Sequence, residues 1–226
     1  MAEEKGSATT PLGVADKRRE EMLRAALEVI AERGFPETRI ADVAEQAGIS
    51  PALVIYYFKT KEDLLTKAIR YAEVEWSALG ALRMEVIESA SARLEDIVAM
   101  TCLPVADTDL PDSRRLWLDV WAQSVRHPEM ARVREEFNAH RRETIVGIVR
   151  DGMASGEFVD VDPTEFSVTL SALLDGLTVQ IALHDPEVDP QRAYKASMRF
   201  VSQALGFKWK PKKDSRSGSK GKKSKK

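Results

Sequence analysis

The stretch "GISPALVIYYFKTKEDLL", residues 48–65, decides the fold because its bulky apolar run can be read in two ways. A buried β-strand is one reading, and a short helix with one buried face is the other. The run shows no apolar/polar alternation, which argues against a strand. Ser50 is a preferred N-cap residue, and Pro51 suits the first helical position, where its missing N–H is not needed. We therefore predict a helix that starts at Pro51 and buries Val54 and Phe58, which are four residues apart.

Two helices are predicted before this one. The apolar residues after Asp16 recur at three- and four-residue spacings, and Gly34 is placed to end that helix. Thr38 is the expected N-cap of the second helix, which Gly48 ends. Two short helices joined by a tight turn at Gly48 form a helix-turn-helix.

The rest of the chain is also predicted to be helical, which makes the fold all-α with about nine helices. Thr60 is expected to cap a helix that continues past Trp76. Further helices are predicted at residues 83–103, 112–126, 128–153, 163–183 and 189–205, between breaks that are mostly proline or glycine. The predicted organisation is a disordered N-terminus at 1–15, a helix-turn-helix domain at 16–62, a second helical domain at 63–207 and a disordered basic tail at 208–226.

Several classes of protein are disfavoured by the sequence. Cys102 is the single cysteine, so no internal disulfide can form, and a reducing cytoplasm is the expected location. We expect neither a membrane span nor a secretory signal. His127, His140 and His184 lack metal-ligand spacing, and no glycine-rich phosphate loop is present. We therefore predict neither an enzyme nor a bound metal or cofactor.

The stretch from Arg18 to Leu65 resembles the N-terminal domain of the TetR family of bacterial transcriptional regulators. The matching pieces are "AALEVIAERGF", "TRIADVAEQAGIS", an aromatic pair before Phe58, and "KTKEDLL". The remainder resembles the family's ligand-binding and dimerising domain more loosely, through "WLDVWAQSVRHPEM" and "LLDGL". The resemblance implies a cytoplasmic homodimer that binds double-stranded operator DNA and releases it when a small molecule binds.

The resemblance also assigns the DNA contacts. It implies that Thr38 and Arg39 approach backbone phosphates and that Tyr57 and Lys61 clamp them. It places five residues in the major groove: Ser50, Pro51, Ala52, Leu53 and Tyr56. Ile55 departs from the family pattern because an aromatic residue usually stands there, which puts that backbone contact in doubt.

The adjacent Tyr56 and Tyr57 support this assignment on physical grounds. Neighbouring residues on a helix point about 100° apart, since a turn takes about 3.6 residues. A short helix that buries Val54 and Phe58 therefore cannot bury both tyrosines. At least one hydroxyl must reach water or a phosphate.

The last two predicted helices carry wide apolar faces that we expect to form a four-helix dimer interface. The interface residues predicted are Phe166, Leu170, Leu174, Leu177, Ile181, Tyr194, Met198, Val201 and Leu205. Ala172 and Gly176 are small enough to permit close approach of helices. Two-fold symmetry would suit a palindromic operator, with the two DNA-reading helices about 34 Å apart.

A ligand pocket is predicted around Trp117 and Trp121, which are four residues apart on one helical face. The other predicted members are Met100, Phe137, Leu173 and His184. The alternative is that these side chains only fill the core. The acidic body of the chain, with a net charge of −10 over residues 71–207, would suit a cationic or amphipathic ligand.

Two other functions stay open. Residues 208–226 hold nine lysines and Arg216 against Asp214, so a non-specific or architectural DNA-binding protein could work through this tail. The tail could equally be a solubilising end. A helical small-molecule sensor with weak DNA binding is the third possibility, since Pro51 and Ala52 offer no side-chain donors for base reading.

Overall fold

The computed structural model describes residues 11–104 and 113–211, and in them the chain is helical with no β-strand. The all-α prediction is confirmed. The helices of the described residues are α1 (Pro11–Arg33), α2 (Ile40–Gln46), α3 (Pro51–Phe58), α4 (Lys61–Glu85), α5 (Ala90–Cys102), α6 (Ser113–Ser124), α7 (Pro128–Ala154), α8 (Pro163–Ala182) and α9 (Pro190–Ala204).

The first hydrophobic core joins α1, α2 and α3 to the start of α4. Its fully buried side chains include Met22, Leu27, Ile30, Val43, Val54, Phe58, Leu64, Leu65 and Ile69. Residues of α6 and α7, among them Val120 and Val133, complete the same core. The three-helix domain is thus packed against the rest of the chain, and α4 runs unbroken across the predicted domain boundary at 62/63.

The second core lies among α5, α7, α8 and α9. Its buried side chains include Leu94, Val98, Ile145, Val149, Leu170, Leu174, Met198 and Val201. Gly152 of α7 allows the Phe158 ring to pack directly on the helix, because a Cβ at this position would lie 2.1 Å from the ring. Any larger residue there would have to displace the ring.

Some predicted boundaries are wrong. α1 begins at Pro11, so residues 11–15 are helical and only 1–10 of the predicted disordered N-terminus lie outside the described residues. The predicted helix at 83–103 is two elements, because α4 continues to Glu85 and α5 begins at Ala90. Ser89 marks the new start, since its hydroxyl accepts the N–H of Ala92 at 3.2 Å.

The predicted disordered tail also begins too early. Trp209 is half-buried, and its ring meets that of Tyr194 edge-on with centroids 5.9 Å apart. The second core therefore extends past α9 to this residue. Residues 212–226, which hold most of the lysines of the predicted tail at 208–226, lie outside the described residues.

The predicted dimer interface is wrong in its choice of helix face. All the predicted interface residues except Leu177 are buried within the protomer, and Leu177 is half-buried. A side chain that packs inside one chain has little surface left to contact a second copy. The outward face of α8 instead carries Val168, Ala172 and Gly176, and the exposed Leu183 follows directly after the helix. No helix among the described residues is long and apolar enough to cross a membrane.

Candidate DNA-binding surface and ligand cavity

The opening stretch forms α3, a helix of 8 residues, as predicted. The Ser50 hydroxyl accepts the N–H of Leu53 at 3.3 Å, and Pro51 occupies the first turn. Val54 and Phe58 are buried in the first core, which fixes the rotation of the helix about its axis. The opposite face of α3 is therefore turned to solvent.

Tyr56 is the most prominent side chain of the outward face, with 79% of its surface exposed. Pro51 and Ala52 are also exposed, and Ile55 is exposed to 48%. Tyr57 is half-buried and meets the Tyr56 ring edge-on, with centroids 5.6 Å apart. The expectation that the two tyrosines cannot both be buried is met.

The flanks of α3 present the other predicted DNA contacts, with one exception. Arg39 and Ser50 are exposed, and Leu53 is half-buried. The ammonium of Lys61 donates to the carbonyl of Pro36 at 2.8 Å, which leaves two of its three N–H groups for another acceptor. Arg39, at the start of α2, and Lys61, at the start of α4, therefore place cations on the two helices that flank α3 in sequence.

Thr38 is the exception, because it is fully buried and its hydroxyl donates to the carbonyl of Gly34 at 2.8 Å. Arg39, not Thr38, is the N-cap residue of α2. Asp42 supports this helix start by accepting the Arg39 N–H at 3.0 Å. A side-chain contact from Thr38 to phosphate is therefore ruled out, and the prediction that it caps α2 is wrong.

A cavity of about 610 Å³ lies between the second half of α4 and helices α5 to α8. We call it the large cavity, and its volume is in the range of small-molecule sites. Its lining includes Trp76, Met84 and Glu85 of α4, Arg93, Met100 and Thr101 of α5, Arg114, Trp117 and Trp121 of α6, Phe137, His140 and Arg141 of α7, and Asp175 and Thr178 of α8.

The predicted pocket residues divide between two places. Met100, Trp117, Trp121 and Phe137 line the large cavity. Leu173 and His184 do not, and His184 instead lines a smaller cavity near the end of α8. The prediction of Leu173 and His184 as members of the pocket is therefore not supported by the lining of the large cavity.

The residues of α4 and two polar residues of α8 that line the large cavity were not predicted from the sequence. Trp76, Gly80 and Met84 recur every four residues, so a stripe along α4 was available as a signal. Asp175 and Thr178 had no such signal because they are isolated polar residues in an apolar helix. Their position in the cavity follows only from how α7 and α8 pack.

One wall of the large cavity combines aromatic rings with an ion pair. Trp117 and Phe137 pack with ring centroids 4.2 Å apart. The Arg141 guanidinium lies 5.5 Å from the centroid of the Phe137 ring, and its Nη2 binds Asp175 Oδ1 at 2.8 Å. This wall therefore presents both apolar surface and charged hydrogen-bonding groups to a ligand.

Both parts of the chain match known families. Residues 22–68 match the family model described as "Bacterial regulatory proteins, tetR family". Residues 90–206 match the model described as "BetI-type transcriptional repressor, C-terminal". The first match covers the helices that present Tyr56, and the second covers α5 to α9, which supply most of the large cavity.

Individual relatives are similar to this chain over most of their own length. The HTH-type transcriptional regulator BetI of Burkholderia mallei (strain NCTC 10229) is 30% identical over 200 residues, which are 86% of this chain and 96% of the relative. A putative transcriptional regulator from Saccharomonospora viridis, solved in complex with choline, superimposes with a TM-score of 0.78 at 28% identity. That match covers 84% of this chain and 98% of the other. A putative TetR-family regulator from Rhodococcus sp. gives a TM-score of 0.71 at 26% identity, covering 84% and 99% of the two chains.

These relatives are regulators rather than enzymes, and the matches span both the DNA-reading helices and the cavity-bearing domain. The chain therefore belongs to the TetR family, with a BetI-type C-terminal domain, and is a ligand-responsive DNA-binding regulator of transcription.

Proposed function

We propose that the protein binds a palindromic operator as a homodimer in the cytoplasm and is released when a small molecule enters the large cavity. The observation that carries the proposal is the arrangement of α3, whose buried face locks it to the first core while Tyr56 points to solvent. A helix held in this way can enter the major groove without rearranging the domain behind it.

The proposed DNA contacts divide into base and backbone contacts. Ser50, Pro51, Ala52, Leu53 and Tyr56 form the groove-facing surface. Arg39, Tyr57 and Lys61 hold phosphates on either side. Pro51 and Ala52 have no side-chain donors, so we expect base reading there to use thymine methyl groups and DNA shape.

The second copy is proposed to pack on the outward face of α8. Val168 and Leu183 are exposed apolar residues on this face, and Ala172 and Gly176 between them leave room for a helix to approach. Nothing lies within 4 Å of the position a Cβ would take on Gly176. This face is opposite to the one predicted from sequence, and a pair of such helices related by a two-fold axis gives the symmetry of a palindrome.

Ligand binding is proposed at the aromatic wall of the large cavity. The Saccharomonospora viridis relative was solved with choline, so choline is the first compound to test on this chain. A molecule that small would leave most of about 610 Å³ unfilled. The cavity is therefore suited to a larger ligand that has both an apolar and a polar part.

The experiment that tests the function is selection of DNA from the region upstream of the chain's own gene, followed by affinity measurements at physiological salt. We expect the selected operator to bind at least about a thousand times more tightly than random duplex of equal length. Equal affinities would instead favour an architectural protein.

Deleting residues 212–226 should lower the slope of log K against log salt if the lysines contact phosphates, and should leave the preference for operator intact.

A further inference from the structure

The turn between α3 and α4 has a strained backbone at Lys59. This residue directly follows α3 with φ 55° and ψ −50°, and the N–H of Thr60 donates to the carbonyl of Phe58 at 2.5 Å. A hydrogen bond across three residues with such angles is a γ-turn of the rare, strained kind. Only Lys59 and Thr60 separate the two helices, and Phe58 and Leu64 on either side are both buried. The chain therefore has to turn sharply at Lys59.

Lysine is an unusual residue for this backbone conformation. Six of the described residues have a positive φ, and each lies within two residues of the end of a helix. Four of the six are glycines, namely Gly34, Gly48, Gly156 and Gly206. Glycine adopts such angles without steric cost because it has no Cβ. His184 is the other exception, and histidine is enriched at positive φ. Lys59 thus stands where this chain otherwise uses glycine.

Contacts within the protomer do not explain the lysine. Lys59 is exposed, and within residues 11–104 and 113–211 its ammonium forms no hydrogen bond or ion pair. Lys67, by contrast, is paired with Asp63 at 2.8 Å, and Lys61 donates to the carbonyl of Pro36. Strained residues of this kind cluster at binding sites, where the strain serves a contact outside the fold.

The position of Lys59 along α3 suits a contact with the DNA backbone. α3 has 8 residues and is therefore about 12 Å long, and the major groove of B-DNA is about 12 Å wide. The N-terminal residues of a recognition helix contact the base edges. The residue that follows the C-terminus of so short a helix then lies towards the edge of the groove, where the phosphates are.

The charges of the turn also favour a phosphate contact at Lys59. Glu62, in the first turn of α4, is exposed and would repel a phosphate. Lys61 offsets this carboxylate, and Asp63 is already neutralised by Lys67. The turn is therefore net positive with Lys59 and would be neutral without it.

From these observations we propose that Lys59 binds a backbone phosphate beside the major groove, and that the strained position carries lysine for this contact and not for the fold. This contact rests on the proposed function, because it requires α3 to enter the groove. Lys59 is an addition to the DNA contacts that the resemblance to the TetR family implies.

Two substitutions separate the charge of Lys59 from its backbone strain. Lys59→Gln removes the charge and keeps a side chain at the strained position, whereas Lys59→Gly removes both. Operator affinity is measured with the full chain between about 50 and 200 mM salt. Each phosphate contact contributes about 0.9 to the slope of log K against log salt, so both variants should lower the slope by about 1.8 for a dimer.

The loss should be the same for every DNA sequence, because a phosphate contact carries no sequence information. At physiological salt we expect both variants to bind at least about tenfold more weakly to operator and to random duplex alike. Lys59→Arg keeps the charge and should bind within about twofold of the wild type. Arg150→Gln is the control, since it removes an exposed cation of α7, and it should leave the slope unchanged.

Chemical denaturation measures the strain. Lys59→Gly should shift the midpoint to a higher denaturant concentration because glycine relieves the positive φ. Lys59→Gln keeps the strain and should have the midpoint of the wild type, as should Arg150→Gln. A variant that binds DNA more weakly and is nevertheless more stable would show that the lysine serves binding at the expense of the fold.

Two results would overturn the proposal. One is a salt slope for Lys59→Gln equal to that of the wild type. The other is a Lys59→Gly variant less stable than the wild type, because the lysine would then serve the fold. Operator preference of the wild type separates this contact from the proposed function. If the wild type does not prefer its operator, the proposed function fails, and if it does but the slope is unchanged in Lys59→Gln, only the Lys59 contact fails.

Discussion

Asp119 of α6 accepts the backbone N–H of Phe35 through Oδ2 at 2.8 Å. Phe35 lies in the turn between α1 and α2 and is buried in the first core. Asp119 lies two positions from both Trp117 and Trp121, which line the large cavity on another face of the same helix. This hydrogen bond adds to the packing of Val120 in the first core, and we expect a ligand that moves α6 to move the contact with Phe35 as well.

Asp119→Ala is expected to loosen this connection. The Phe35 N–H loses its acceptor, which costs about 1–3 kcal/mol for a buried donor. Hydrogen exchange of the Phe35 amide should accelerate by about tenfold or more, and the affinity for operator should change. Asp160→Ala, at an exposed carboxylate, is the control and should alter neither. Faster exchange with an unchanged operator affinity would show that the contact is only structural.

Tyr56→Ala should reduce operator binding without affecting folding. The side chain is 79% exposed, so its removal should change the free energy of unfolding by less than about 0.5 kcal/mol. Loss of a groove contact should weaken specific binding by about 1–3 kcal/mol. The measurements are chemical denaturation and operator titration. Phe58→Ala provides the contrast, because this buried ring should cost about 3–5 kcal/mol of stability.

The helices and the orientation of α3 could be predicted from sequence because their signals are local. Ser50, Pro51, Val54 and Phe58 lie within about two turns of one helix, so spacing alone indicates the helix and its buried face. The buried face of α8 could not be predicted in this way. The helix is apolar on several sides, and only packing against α7 and α9 shows that Leu170 and Leu174 are buried.

Contacts between residues that are far apart in the chain could not be predicted from the sequence for the same reason. The Asp119–Phe35 hydrogen bond joins residues 84 positions apart, and no pattern marks it. The Arg141–Asp175 pair likewise depends on how α7 and α8 meet. Thr38 was predicted to be an N-cap because a threonine before a helix commonly is one. In the structure its hydroxyl instead donates inward to the carbonyl of Gly34.

Glu157 should make part of the stability depend on pH. Its carboxylate accepts the N–H groups of Ala90 and Ser91 at 2.8 and 2.9 Å, at the start of α5. Burial raises the pKa of Glu157, but the hydrogen bonds from Ser91 and Ala90 and the charge of Arg93 outweigh it, so the pKa lies below its usual value. The folded state therefore holds the proton less tightly than the unfolded chain does. This contribution is present at neutral pH and is lost as the pH falls through the ordinary glutamate range towards the folded pKa.

Glu157→Gln should accordingly lower the free energy of unfolding by about 1 kcal/mol at pH 7. The further decrease in this free energy as the pH falls should be smaller in the variant than in the wild type. Denaturation curves at a series of pH values measure both effects. The exposed Glu143→Gln is the control and should reproduce the wild-type pH profile. A Glu157→Gln profile that is parallel to wild type at every pH would contradict the role of this carboxylate.

Gly176→Arg should convert the dimer to a monomer. Gly176 lies on the outward face of α8, and nothing lies within 4 Å of the added Cβ, so the protomer should fold normally. Gly147→Arg is a matched control on α7, at an exposed helical glycine that also has open space. Equilibrium sedimentation at micromolar concentration should show a monomer for Gly176→Arg and a dimer for wild type and Gly147→Arg. A dimeric Gly176→Arg would place the interface elsewhere.

We propose that two copies of α3 read one duplex from the same side, one helical turn apart. This proposal is tested most directly by measuring the affinity of the full chain for its selected operator before and after inserting about 5 base pairs between the half-sites, which rotates them by about half a turn. We expect the insertion to lower affinity at least about a hundredfold, and we expect inserting a full turn of about 10 base pairs not to restore it, because the two α3 helices of one dimer stay one turn apart. Equal affinity for all three spacings would contradict the proposal.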